Sequence, residues 1–560
     1  MKPDLFILLF FYITSLFSIL GYGLIFQKLI KTPKNLICIG YSGLFGVFFL
    51  IVISYITNIF LSHNLLHNSI IFFIGLIVFF YFLLKNIFLK RDINLFLIIF
   101  LCLFVSFIIF KAHDDFPYYH FPYTYYLTEN SSYIGIGSFN HGFRTPSSIF
   151  YLNSLFYLPI IKYNLFHIGS LAIFGFSIYL FITKILNLLK DEDINYLYYF
   201  NLLSLIFILV FFYRLGEHGT DRSAMILILV IISELLRIFN KVKIADYDIS
   251  ILAILFVLII SLKAFYFLYL LFLLPFLYFI FSKFNLLKII KILAKNKSLY
   301  FSIILLFFVL LNNFFNTGCL VYPVLKSCFT GFEWSIQSNE ISRMILHYEN
   351  WSKAGSTPNS TVANPENYVK NFNWVSNWFN TYFLSKILDF ILGLLFMFFI
   401  FLFVFYSKLK IKKKLPIDVY FLYLVVIVLI IEWFINHPTL RYGGYSLFAL
   451  LFILPFSKYL GRNNLKLKIL RKKTYLILLI AFSVFIFRNI DRLNEENNKY
   501  KFNVLNSPYY ELKNVHFRID KKFDKLINDY EKCLENKKYC NSKDYTIKKK
   551  FGKYIFIKNK

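Results

Sequence analysis

Runs of about 20 consecutive apolar residues recur along nearly the whole chain, and no other feature limits its fold so severely. A run of that length crosses the hydrocarbon core of a bilayer as a helix, and only a helix satisfies its own backbone polar groups there. The runs lie at roughly 5–26, 37–57, 69–89, 93–110, 165–184, 195–213, 224–240, 248–262, 264–282, 299–316, 383–407, 418–436, 444–459 and 473–488. They predict an all-α polytopic membrane protein with about 14 transmembrane helices. Composition agrees, because 58% of the residues are hydrophobic and only 16% charged, against about half and a quarter in soluble domains.

The formal net charge of +30 would suit a nucleic-acid partner, but the positions of the basic residues argue against one. Most lie in short connections between apolar runs: Lys85, Lys90 and Arg91; Lys184 and Lys190; Arg237, Lys241 and Lys243; and the stretches 283–297, 408–414 and 458–473. That is the distribution of cytoplasmic loops under the positive-inside rule. It places both termini on the outer side, together with segments 111–164, 214–223, the turn near 263, 317–382, 437–443 and the tail from 489. The connection 184–194 speaks least clearly, because it also carries Asp191, Glu192 and Asp193. The first apolar run is expected to stay as a helix, since its basic cluster of Lys28, Lys31 and Lys34 follows it and no small-residue cleavage site is evident. The chain divides into N-terminal transmembrane helices (1–110), a membrane core with its outer loops (111–488) and a C-terminal extramembrane segment (489–560). That last segment has a helix-like stretch at 517–534 and a strand-like run at 554–557.

Cysteine usage points to the same face. Cys38 and Cys102 fall in apolar runs and read as small buried hydrophobes. Cys319 with Cys328, and Cys533 with Cys540, form close pairs in outer segments, where disulfides persist. The spacings are not those of a zinc finger, so disulfides are expected, with free thiols as the alternative.

Residues able to carry chemistry gather in the outer segments. Lys111-Ala-His-Asp-Asp-Phe-Pro-Tyr-Tyr-His120 sets Asp114 and Asp115 beside His113 and His120. The pair suits a general base or a divalent cation; the plainer reading is two solvated loop acids capping a helix. Further along the same loop, Arg144 is suited to a phosphate or to bulk solvent. The stretch 149–161 is too short to span and is expected along the interface. Arg214-Leu-Gly-Glu-His-Gly-Thr-Asp-Arg222 crowds Glu217, Asp221 and Arg222 into a short connection, as a substrate site or a self-paired structural cluster. Lys263 and Arg441 each sit at the end of an apolar run, where snorkelling to the interface competes with a functional role. Convergence of Arg144, Arg222, Lys263 and Arg441 makes an anion site; separation makes four anchors. Trp374 and Trp378, four apart, share one helix face suited to sugar stacking or an interfacial belt. No Walker loop, dinucleotide fingerprint, zinc helix or nucleophile elbow is evident.

The blocks His113-Asp-Asp115 with Tyr119-His120, Gly219-Thr-Asp221, Gly318-Cys-Leu-Val-Tyr-Pro323 and Arg441-Tyr442 resemble an uncharacterised family of bacterial polytopic membrane proteins. Their layout is similar to that of the GT-C glycosyltransferases. The resemblance implies an inner-membrane enzyme that transfers sugar from a polyprenyl-phosphate donor to a glycan or lipid acceptor on the outer face. Asp114 or Asp115 is then the base; His113, His120, Arg144, Asp221, Arg222, Lys263 and Arg441 bind substrate, and a divalent cation is optional. The GT-C pattern usually places its acidic residue after the first span, whereas this pair follows the fourth. A transporter or flippase of lipid-linked glycans, or a surface polysaccharide polymerase or ligase, is the alternative.

Overall fold

The computed structural model describes residues 4–559 except 242–243, 358–359, 408–415, 463–464, 502, 506–526, 529, 533–544 and 551, with the backbone alone at Lys288. Every apolar run named above is helical. The helices are α1 (Leu5–Leu29), α2 (Ile39–Phe60), α3 (Leu65–Leu84), α4 (Lys90–Phe107), α5 (Phe121–Glu129), α6 (Ser148–Ser154) and α7 (Ile168–Lys190). Next come α8 (Tyr196–Phe211), α9 (Asp221–Phe239), α10 (Asp246–Leu262), α11 (Leu273–Phe281), α12 (Leu286–Lys295), α13 (Lys297–Thr317) and α14 (Ser338–Ser352). The chain continues through α15 (Pro365–Val369), α16 (Val375–Trp378), α17 (Leu388–Phe405), α18 (Ile417–Asn436), α19 (Tyr445–Leu460) and α20 (Leu467–Tyr500) to the strands β1 (Tyr545–Lys550) and β2 (Lys553–Lys558).

Among the described residues, nine helices are long and apolar enough to cross a membrane, fewer than the expected 14 or so. The difference lies in length and charge. α8 and α10 have 16 and 17 residues, α4 opens on Lys90, Arg91 and Asp92, α9 carries Asp221, Arg222, Glu234 and Arg237, and α20 is charged at both ends.

α7 to α10 form the centre. The membrane-length segment that contains α7 is 94% buried, whereas α3, equally apolar, is 22% buried and turns its side chains outward. An apolar helix left this exposed calls for an apolar surrounding, as a membrane protein's outer helices do. Close crossings rest on small residues: a Cβ on Gly23 would lie 1.7 Å from the Ser42 carbonyl oxygen, and one on Gly46 2.0 Å from that of Ile19. α1 and α2 therefore pack backbone to backbone.

The polar segments meet at one end of the bundle. The His113 amide donates to the Gly216 carbonyl (2.9 Å), Asn316 Nδ2 to the Phe143 carbonyl (3.2 Å), and Trp378 Nε1 to the Pro438 carbonyl (2.7 Å). The tail joins them. β1 and β2 pair antiparallel, Ile547 opposite Phe556, and β2 docks on the first polar loop through Ile134 N to Tyr554 O (3.1 Å) and Phe556 N to Ile134 O (2.9 Å). The strand-like run near 554 is thus a strand, while the helix-like stretch 517–534 falls largely outside the described residues.

Cys319 and Cys328 form the expected disulfide, and Cys533 and Cys540 lie outside the described residues. Two local expectations are corrected. The first part of the 149–161 stretch enters the interior, with Ile149, Phe150 and Leu152 buried in α6, because α6 packs against α2, α5 and α7; Pro159 and Ile160 near its end are exposed. Trp374 and Trp378 are buried edge to face, 5.8 Å between centroids, against Phe434 of α18; they neither stack on a sugar nor form a surface belt.

Candidate functional site

The approach to the site is held from behind. Glu496, near the end of α20, accepts hydrogen bonds from the amides of Phe110 (2.7 Å) and Lys111 (3.0 Å), and Gly216 takes the amide of His113. These contacts fix where α4 hands the chain to a π-type turn at Phe116–His120, begun by Pro117. Asp115 stands at its start and donates its backbone N–H to His113 Nδ1 at 3.0 Å. That nitrogen is therefore an acceptor, and the His113 ring is neutral.

Three other segments deliver charge to the same place. Asp221 is the first residue of α9; its Oδ1 pairs with the ammonium of Lys263. Lys263 ends α10 in an extended conformation (φ −159°, ψ 123°), which swings its side chain out of the helix and across to α9. Arg441 sits in the turn between α18 and α19, where Tyr442 and Gly443 leave helical geometry. Gly443 has φ 82°, and a Cβ there would fall 1.8 Å from Tyr269 Oη, so glycine is the residue that forms this turn without strain. Arg441 Nη2 reaches Asp115 Oδ2 at 2.9 Å, and its Nε lies 3.6 Å from Asp221 Oδ2. One guanidinium thus joins two ion pairs into a row: Asp115, Arg441, Asp221, Lys263.

Aromatic groups frame the row. Tyr442 lies under Lys263 (4.6 Å to the ring centroid) and Arg441 (5.7 Å). Tyr119 Oη donates to Asp115 Oδ2 at 3.4 Å, and Tyr266 Oη to the Asp221 carbonyl at 3.3 Å. His120 lies nearly parallel to His113, 6.2 Å between centroids.

Burial works to raise the pKa of Asp115, but the Arg441 guanidinium outweighs it and holds the carboxyl below its ordinary value. Burial pulls His113 below its usual value against the opposing pull of Asp115, and takes His120 down to about 3. Both imidazoles are neutral beside an ionised Asp115 at neutral pH. The Asp115 and Arg441 side chains remain 26% and 37% exposed, so the row is open to a ligand. Buried Arg441 Nε and His120 Nε2 have no hydrogen-bond partner among the described residues.

Not every expected residue arrives. Asp114 is exposed, turned away by the turn that presents Asp115. Arg144 belongs to a neighbouring cluster: it pairs with Glu340 and donates to Tyr322 Oη (2.8 Å) and the Gly137 carbonyl (3.0 Å). That ion pair ties the first polar loop to α14. Arg222 turns to Glu217 (4.0 Å), which also meets Arg214 (3.4 Å) and Arg492 (3.2 Å). The 214–222 connection therefore splits, with Glu217 in a structural cluster and Asp221 in the site.

Tyr119 and Tyr442, which the polar pattern alone did not single out as site groups, adjoin residues that it did. Arg492 and Glu496 carry no local signal, since they lie in the charged end of a long helix. Among the described residues no group of three or more His, Cys, Asp or Glu is placed to hold a metal ion. Chemically, the row offers an ionised carboxylate, a second carboxylate that positions two cations, and a guanidinium with donor capacity to spare.

A family model described as a domain of unknown function (DUF8201) matches residues 5–448, well over half of the chain. No curated protein and no solved structure matches it.

Proposed function

We propose a function for a chain that belongs to the DUF8201 family, whose description leaves activity open and so leaves the reading to the site. The protein is a membrane glycosyltransferase of the GT-C kind, moving a sugar from a polyprenyl-phosphate donor to a glycan or lipid acceptor on the outer face. One observation carries this reading: Asp115, Asp221, Lys263 and Arg441, from segments far apart in sequence, form a single half-open row at the polar end of the bundle.

The chemistry balances without a cofactor. The acceptor oxygen bonds to the anomeric carbon as the bond from that carbon to the phosphate oxygen breaks. The acceptor proton passes to Asp115, and the electron pair leaves on the phosphate, where Arg441 and Lys263 face the growing charge. Asp221 positions both cations. Lipid-facing helices such as α3 give the polyprenyl tail an apolar surroundings beside the polar end.

The charge pattern further assigns this end and both termini to the outer side, with the five shorter or more charged helices completing a polytopic bundle. Cysteine-accessibility labelling tests that assignment; a cytoplasmic signal near residue 215 overturns it. The function is tested with purified protein in detergent, a polyprenyl-phosphate sugar and a glycan acceptor. Asp115→Asn lowers transfer by about 10² to 10⁴ and Arg441→Ala chiefly raises the donor KM. Glycan flux across vesicles with no sugar transfer replaces the enzyme by a transporter.

A further inference from the structure

Between α11 and α13 the chain runs along the end of the bundle opposite Asp115. α12 has ten residues, about 15 Å of helix, half of what a crossing needs. Its flanks are tied to the far ends of α9 and α10. Lys283 Nζ donates to the Lys241 carbonyl (2.8 Å), and Asn296 Nδ2 to the Asp246 carbonyl (3.0 Å). Asp221 and Lys263 stand at the other ends of those two helices.

The sequence Leu286-Leu-Lys-Ile-Ile-Lys-Ile-Leu-Ala-Lys295 separates into three faces at helical spacing. Ile289 is buried, and Ile292 and Leu293 pack partly buried against the core. A second face exposes Leu286, Leu287 and Ile290, at 59%, 81% and 52%. The third holds positions 288, 291 and 295, all lysine. Lys291 and Lys295 are exposed, and neither has an ion pair among the described residues; α12 contains no acidic residue.

Water explains the lysines but not the neighbouring aliphatic face. A bilayer interface explains both, because the aliphatic face enters the acyl boundary while the ammonium groups meet phosphates. The positions of α11 and α13 set α12 at that depth, since each belongs to a helix long and apolar enough to cross. We propose that α12 is an in-plane anchor that binds anionic phospholipid headgroups through Lys291 and Lys295. Uncompensated positive charge selects anionic over zwitterionic lipid. Through its two backbone ties the anchor holds α9 and α10 at a set depth, whatever reaction the opposite end performs.

The test uses the full chain in bilayers of mixed phosphatidylcholine and phosphatidylglycerol. Headgroup photo-crosslinking analogues of each lipid are added, and crosslinks are located by peptide mass spectrometry. The phosphatidylglycerol probe is expected to label the 283–297 stretch well above the phosphatidylcholine probe. Lys291→Glu and Lys295→Glu each reduce that labelling roughly fivefold, and the paired Lys→Arg variant keeps it. Inorganic phosphate does not compete, since it lacks the acyl chains that the aliphatic face needs. Equal labelling by the two probes, labelling that survives charge reversal in a protein with an unchanged gel-filtration profile, or competition by inorganic phosphate alone overturns the proposal.

Discussion

α9 carries an ionic cluster at each end, about 20 Å apart along the helix, and the two are built differently. At the far end Glu234 is fully buried and pairs with Lys184 and with Arg237 (2.7 Å), while Tyr41 Oη donates to it. Arg237 and Lys241 then meet Asp248 at 2.7 and 2.9 Å. Each charge there has an opposite partner, and both carboxylates are enclosed, Glu234 at 0% and Asp248 at 2% exposure, while the Arg237 and Lys241 stems reach in from the rim. At the near end the Asp115, Arg441, Asp221 and Lys263 row is also paired, yet its Asp115 carboxylate is 26% exposed, and Arg441 Nε and His120 Nε2 have no hydrogen-bond partner among the described residues. A closed cluster holds helices together; an open one with spare donors can also bind. The same helix thus separates structural charge from charge available to a ligand.

The largest expected effect tests that separation directly. Asp115→Asn keeps the shape and removes the charge, so transfer should fall by about 10² to 10⁴ while the thermal melt stays nearly unchanged. Loss of folding instead would make the near cluster structural and erase the contrast. Glu234→Ala is the converse. It removes the carboxylate that pairs with Lys184, leaves Arg237 with Asp248 alone, and should cost about 3–5 kcal/mol in denaturant unfolding, with transfer per folded molecule retained.

Acid sharpens the comparison through the loop histidines. Burial lowers His63, His120 and His218 to about 3, whereas in the unfolded chain they titrate near 6.5. The unfolded state then binds more protons between those values. Stability is therefore full above about pH 6.5 and falls as pH drops toward about 3, by at most about 1.4 kcal/mol per pH unit for each histidine. Thermal melts over that range should show the decline, and His120→Phe should make it shallower. The smallest effect is expected from Gly443→Ala. Positive φ and the clash with Tyr269 cost about 1–3 kcal/mol and displace Arg441, so donor KM should rise more than kcat falls.

Much of the fold was legible in the sequence because apolar runs, charge and backbone demand are local properties. Every apolar run became a helix, and the nine-residue separation of Cys319 and Cys328 already allowed a short closed loop. Burial was not legible: α3 and α7 read alike as apolar helices, although one faces outward and the other is enclosed. At the site, helix-end positions singled out Asp221, Lys263 and Arg441, since a charge there must find water or a partner. Arg144 carried the same signal and went to Glu340.

The sequence by itself determined a bundle of apolar helices with its unusual polar residues gathered into a few connections, because hydrocarbon tolerates only helices and expels charge to their ends. Tertiary structure alone decided the pairings. Arg441 and Asp115 are 326 residues apart, and attraction between charges matters over a few ångströms of space at any separation along the chain. Which of four similar cations stands within 3 Å of Asp115 depends on the crossing of α9, α10, α18 and α19, set by side-chain packing that no single segment encodes.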